Sequence, residues 1–116
     1  MKFLVSFLSG LITVLLISLQ SVFAQDANLD LQAGEQVFLA NCAACHNGGK
    51  NTVVPLKTLQ LGDLEKYEKN TVDAIMYQVT NGNGAMPAFG DRLSEDDIQN
   101  VAGYVLNQAT TNSWDN

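Results

Sequence analysis

Four stretches of the chain repeat their apolar residues at helical spacing, and none alternates like a strand. In the first, "DLQAGEQVFLANCAAC" from Asp30 to Cys45, Leu31, Gly34, Phe38 and Cys42 fall near one face, with Val37 and Cys45 beside them. Asp30 stands where an N-cap belongs. Gly34 in a helix interior costs about 1 kcal/mol against alanine. That cost is more easily accepted where a second helix approaches closely. A short helix over about Leu61 to Lys69 is expected next, turning Leu64 and Tyr67 inward.

"NTVDAIMYQVTNG" predicts a third helix. Asn70 is its expected N-cap, Asp73 lies in its first turn, and Val72, Ile75, Met76 and Val79 form its stripe. The fourth has the sharpest boundary. Ser94 caps it, Glu95, Asp96 and Asp97 fill the electropositive first turn, and Ser94 with Asp97 makes a capping-box-like pair. Its buried face reads Ile98, Val101, Ala102, Val105 and Leu106, with Tyr104 at the edge. The polar tail "TTNSWDN" is expected to fray, and its composition leaves open whether Trp114 docks back. The pattern therefore predicts an all-α fold of about four helices.

Two loops separate these helices, "HNGGKNTVVPLKTL" and "NGNGAMPAFGDRL". Gly48 and Gly49 stop the first helix, and Pro55 keeps the segment after it extended. Both prolines of the chain, Pro55 and Pro87, lie in these loops.

The first 24 residues, "MKFLVSFLSGLITVLLISLQSVFA", follow another logic. One early positive charge, Lys2, precedes a long apolar run ending in Val22-Phe23-Ala24. This is the layout of a secretory signal peptide cleaved after Ala24, leaving one domain over residues 25–116. The 92 residues left approach the size at which a side-chain core alone is thin and an extra staple helps. They carry five basic and twelve acidic residues, a net charge of −7. Such a balance argues against nucleic acid or an anionic membrane as partner and suits steering toward a basic surface.

Candidate chemistry concentrates in "NCAACHNGG", residues 41–49, which holds both cysteines and the only histidine. A disulfide across two residues closes too small a loop to stabilise much. Zinc needs about four ligands, and no second cluster supplies them. A thioredoxin-like dithiol belongs in a βαβ context, which is missing here. Cys42, Cys45 and His46 match C-x-x-C-H, the c-type haem attachment signature. Two thiols at this spacing reach the two vinyl groups on one edge of a porphyrin, and the adjacent imidazole then meets the iron from one side.

A second axial ligand must come from the two methionines after Ala24. Met76 lies on the apolar stripe of a helix, where it is most simply core. Met86 lies in the Gly-rich loop, stiffened by Pro87, and is the preferred ligand. His/Met coordination fills both axial sites and raises the reduction potential. An iron so closed points to electron transfer rather than catalysis.

The stretches "AGEQVFLANCAACHNGG", "KTL", "DLEKY", "QVTNGNGAMPAFGDRLSEDDI" and "VAGYVLNQA" span nearly all of residues 25–116. In that order they resemble the cytochrome c6 family of small class I c-type cytochromes. The resemblance implies a globular class I cytochrome c fold around one covalent haem c, with His46 and Met86 as axial ligands. It implies that the first and last helices cross, Gly34 and Phe38 on one side against Val101 and Tyr104 on the other. Gln78 matches a haem-adjacent glutamine that tunes the potential; the plain alternative is an exposed helix residue. Arg92 matches an arginine bearing on partner docking; the alternative is an ordinary surface charge. The implied activity is not enzymatic. It is one-electron transfer from cytochrome f of the cytochrome b6f complex to photosystem I, with a respiratory terminal oxidase as second acceptor. The implied place is the thylakoid lumen or the periplasm.

Overall fold

The computed structural model describes residues 28–114. The expected leader and its cleavage point lie outside the described residues, as do Asp115 and Asn116. The described chain forms α1 (Leu31–Asn41), α2 (Ala43–His46), α3 (Leu61–Lys66), α4 (Val72–Asn81) and α5 (Glu95–Thr110). A 3₁₀ turn, Asn47–Gly49, follows α2 directly. Among the described residues there is no strand, only an isolated bridge between Asn83 and Met86. No helix among them is long and apolar enough to cross a membrane.

Three of the helices, α1, α4 and α5, begin where a side chain satisfies a free N–H group. Asp30 accepts from the Ala33 N–H at 3.0 Å, as its position foretold. The Asp30 N–H in turn donates to the Asn100 side chain at 3.1 Å, tying the start of α1 to α5. At α4 the cap is Thr71, not Asn70: Thr71 is extended (φ −133°, ψ 154°) and its hydroxyl accepts from the Ala74 N–H. The capping box of α5 forms in full, Ser94 accepting from the Asp97 N–H while the Asp97 carboxylate accepts from the Ser94 N–H.

Two expected helices are cut short. The first does not run unbroken to Cys45. At Cys42 φ widens to −118° (ψ −31°) at the edge of the right-handed helical region, α1 ends, and the chain resumes as α2. Hydrogen bonds from Cys42 N–H to Phe38 and from His46 N–H to Cys42 span the break, so the axis is redirected rather than ended. The second stops at Lys66 instead of Lys69. Glu68 takes a left-handed conformation (φ 57°), and the Lys69 N–H reaches back to the Leu64 carbonyl at 2.7 Å. This 6→1 closure satisfies a terminal carbonyl and halts the helix.

The core lies where α1, α4 and α5 meet. Phe38, Ile75, Val79, Phe89, Ile98, Val101, Ala102, Val105 and Trp114 are buried in one cluster. Each large apolar side chain there contributes roughly 1.5–3 kcal/mol of burial. α1 packs most extensively on α5. A Cβ built on Gly34 would overlap the Asn100 carbonyl and lie 2.9 Å from Tyr104 Cβ, so only glycine permits this crossing. Phe38 completes it, its ring 5.4 Å from that of Tyr104.

Three expected details change. Leu31 is exposed, so the buried face of α1 starts at Gly34. Leu64 is buried as expected, but Tyr67 is not inward: its ring lies between the ammonium groups of Lys57 (5.3 Å) and Lys66 (5.5 Å). This cation–π contact suits a wet surface better than the core. The tail does not fray before Trp114. The Ser113 N–H bonds to the Gln108 carbonyl at 2.9 Å, and Trp114 is buried against Phe38 and Tyr104.

Candidate functional site

The segment Cys42–Gly49 follows from the break in α1. Cys42 is half-buried and packs against the core, whereas Cys45, one α2 turn on, is exposed. Both are free thiols. Burial pushes the Cys42 thiol up to about 11. His46 closes α2. Its Nδ1 lies 2.9 Å from the Lys50 carbonyl oxygen. A carbonyl only accepts, so Nδ1 carries the proton and donates, and Nε2 of the neutral ring keeps its lone pair.

Gly48 and Gly49, both left-handed (φ 65° and 73°), then turn the chain away. The Thr52 N–H returns to the Cys45 carbonyl at 3.0 Å. Asn51 organises the loop that follows: its side-chain oxygen accepts from Val53 and Val54 N–H, and its amide donates to the Lys57 carbonyl. Val53, Val54 and Leu56 are thereby held exposed, giving apolar surface beside the cysteine segment. The loop ends at Thr58, whose hydroxyl and N–H both donate to Asp63. That hydroxyl is the main cause holding the Asp63 carboxyl below its ordinary range.

The methionine loop is built on the end of α4. Gly82 leaves the helix with φ 66°, and a Cβ there would lie 2.5 Å from the Met86 carbonyl oxygen. Asn83 and Met86 exchange two backbone hydrogen bonds of 3.0 Å, making a tight turn with Met86 at its end. The Phe89 N–H then bonds to Val79 and the Gly90 N–H to Thr80, folding the loop back on the helix it left. The Met86 side chain packs against the core, and so does that of Met76.

Of the sequence-derived candidates, the structure brings Gln78 and Met86 into direct contact. Cys42 and Met86 lie against the same core cluster. Gln78 is half-buried, and its amide reaches the Met86 sulfur. Arg92 is exposed on the Met86 loop, its guanidinium 5.7 Å from the Phe89 ring. Sequence reasoning missed the Lys50 carbonyl, Asn51 and the Thr58–Asp63 pair. The asparagine and threonine-to-aspartate spacing are the usual marks of local side-chain-to-backbone turns, and were available signals.

The donor set suits one group. Two thiols three residues apart, an imidazole with Nδ1 already committed and a thioether on a rigid turn match the needs of haem c. They do not suit zinc: among the described residues no group of three or more His, Cys, Asp or Glu converges.

Comparison with known proteins agrees. The family model described as "Cytochrome C oxidase, cbb3-type, subunit III" matches residues 29–105. A cytochrome c6 of Bumilleriopsis filiformis is 57% identical over 86 residues, covering 74% of this chain and 99% of that protein. A cytochrome c6 of Pyropia yezoensis is 58% identical over 88 residues, covering 75% and 80%. Among solved structures, cytochrome c6 from the diatom Phaeodactylum tricornutum superposes with a TM-score of 0.69 at 54% identity, covering 71% of this chain and 97% of that one.

Proposed function

The chain belongs to the cytochrome c6 family of c-type cytochromes, and on that premise we propose that it is a one-electron carrier from cytochrome f of the cytochrome b6f complex to photosystem I. Cys42 and Cys45 would hold one haem c covalently. When bound, this group supplies a single reversible electron at iron.

The chain's own residues do the rest. His46 Nε2 would hold the iron, and the Nδ1–H on the Lys50 carbonyl fixes the plane and tautomer of the ring. Met86 Sδ, held by the Asn83–Met86 turn and touched by Gln78, would be the second residue to hold the iron. Val53, Val54 and Leu56 offer apolar surface for the cofactor edge and for partner contact. Arg92 is the docking charge. The observation supporting this reading is the ordered Asn83–Met86 turn with Gln78 at its sulfur: a thioether serving there as second protein ligand would leave iron no open position for substrate. Export to the thylakoid lumen, or to the periplasm, fits the leader-like first 24 residues.

Two other classes compete. A haem enzyme or ligand sensor needs open iron, and rapid binding of carbon monoxide by the reduced native protein would favour it. A dithiol oxidoreductase needs a thiolate at neutral pH. The upward shift of Cys42 opposes that role.

The deciding experiment mixes reduced holoprotein with photo-oxidised photosystem I and follows re-reduction. The expected outcome is a rate rising with carrier concentration. No transfer, alongside efficient oxidation by a terminal oxidase, would replace the photosynthetic route with the respiratory one.

A further inference from the structure

Trp114 is the only tryptophan in the chain and lies four residues beyond α5. It is 8% exposed, yet it does more than fill space. Its indole N–H donates to the Leu59 carbonyl at 3.0 Å, across 55 residues of sequence. The Leu59 N–H donates to the Gly49 carbonyl at 2.8 Å. Gly49 itself presses on the indole, where a Cβ would lie 2.5 Å from Cγ. The next residue is Lys50, whose carbonyl accepts from His46 Nδ1. Trp114 therefore holds both ends of the Gly49–Leu59 loop at its neck. Most residues within that loop are exposed.

The anchor behind the indole is firm. Its ring lies 5.3 Å from Phe38 and meets Tyr104 edge-on at 6.1 Å, so it rests on the α1–α5 crossing. Gln108 and Ser113 exchange two hydrogen bonds that fix the chain just before it.

We propose that Trp114 is a positioning residue for the His46 imidazole, transmitting the rigidity of the α1–α5 crossing through Gly49 and Leu59 to the Lys50 carbonyl that orients the ring. The inference rests on the reading of His46 as the proximal ligand. Hydrogen bonds to a ligating imidazole set its orientation and basicity, so a residue fixing the acceptor acts on the ligand without touching it.

The test uses oxidised holoprotein with Trp114→Phe and Trp114→Ala. Proton NMR reads solvent exchange of the His46 Nδ1 proton, the haem-methyl shifts that report ring orientation, and exchange of the Val79 amide as a control. Trp114→Phe keeps an aromatic ring but loses the N–H. It is expected to speed Nδ1 exchange about fivefold and move the methyl shifts, with Val79 unchanged. Trp114→Ala should do more; if it does not fold, the phenylalanine variant decides alone. Unchanged Nδ1 exchange and shifts would overturn the proposal. So would equal acceleration at Nδ1 and Val79, which marks a purely structural role. A wild-type protein whose absorption spectrum lacks covalent haem overturns the underlying reading, and a normal spectrum with failed shifts overturns only this one.

Discussion

The side-chain amide of Gln78 donates to the sulfur of Met86 at 3.8 Å, between residues eight apart on α4 and the loop that follows it. On the proposed ligation, an N–H aimed at the thioether would draw electron density from it and place positive charge near the lone pair that holds iron. Both effects disfavour the ferric state. Gln78→Val is expected to lower the reduction potential by the worth of one hydrogen bond, about 1 kcal/mol or roughly 40 mV for one electron. Redox titration checks this, and an unchanged or higher potential removes Gln78 from the tuning role.

The two methionines separate cleanly by substitution. Met86→Ala is expected to abolish the methionine–iron charge-transfer band of the oxidised protein and to lower the potential. Met76 lies on the half-buried stripe of α4. Met76→Ala should cost about 2 kcal/mol in chemical denaturation and keep the band. The reverse pattern would reassign the ligand.

Gly34→Ala sets propensity against space. Alanine gains about 1 kcal/mol of helix propensity. The added methyl meets the Asn100 backbone rather than a movable side chain, so the helices must part. Overpacking of this kind costs about 1–3 kcal/mol, and the substitution should destabilise on balance. A denaturation midpoint at or above wild type would show that α1 and α5 part more easily than their contacts indicate.

Asp63 gives the acid limb of stability a named contributor. The Thr58 hydroxyl, and secondarily its N–H and Lys66, favour the carboxylate and lower its pKa on folding. A group with a depressed folded pKa stabilises above its unfolded value, and the contribution is lost as pH falls through the folded one. Stability should therefore drop below about pH 4. Thr58→Val, which removes the main cause, should flatten that drop. Identical acid profiles for the two proteins would place the acid sensitivity elsewhere.

Charge sets the approach to partners. Residues 25–116 carry −7, so association with a basic surface should slow as salt rises. Stopped-flow rates that stay flat or increase with ionic strength would mean that apolar contact governs docking, or that the partner is acidic.

The helices, and the contact of Gln78 with the Met86 turn, were legible because local chemistry agreed with the final packing. Ser94 with Asp97, Asp30 before an apolar stripe, and Met86 among glycines each carry their own physical signature. The errors fall where a distant contact or a one-residue shift decides. Asn70 is the better cap by type, yet the extended backbone at Thr71 and the bond of its hydroxyl to the Ala74 N–H put the cap there. Tyr67 fits an inward stripe until Lys57, from the loop before α3, meets its ring. Trp114 sits in a polar tail whose docking depends on Leu59 and Phe38, far away in sequence. The break at Cys42 leaves no mark in composition, because the hydrogen bonds that span it involve ordinary backbone.

The turn that presents Met86 is bonded almost wholly to its own neighbourhood: Asn83 to Met86, Phe89 to Val79, Gly90 to Thr80 and Gln78 to Met86. The histidine side is tied instead to remote chain, Trp114 to Leu59 and Asp30 to Asn100. A unit closed by short-range bonds opens at the cost of those bonds and of the packing of Met86 and Phe89 on the core, whereas releasing the Trp114 anchor on the histidine side disturbs the helix crossing it rests on. On the proposed ligation, the bonds from His46 and Met86 to iron would belong to different cooperative units. Under rising denaturant the sulfur should leave the iron first and reversibly, as a partial opening from which the rest of the molecule recovers without refolding.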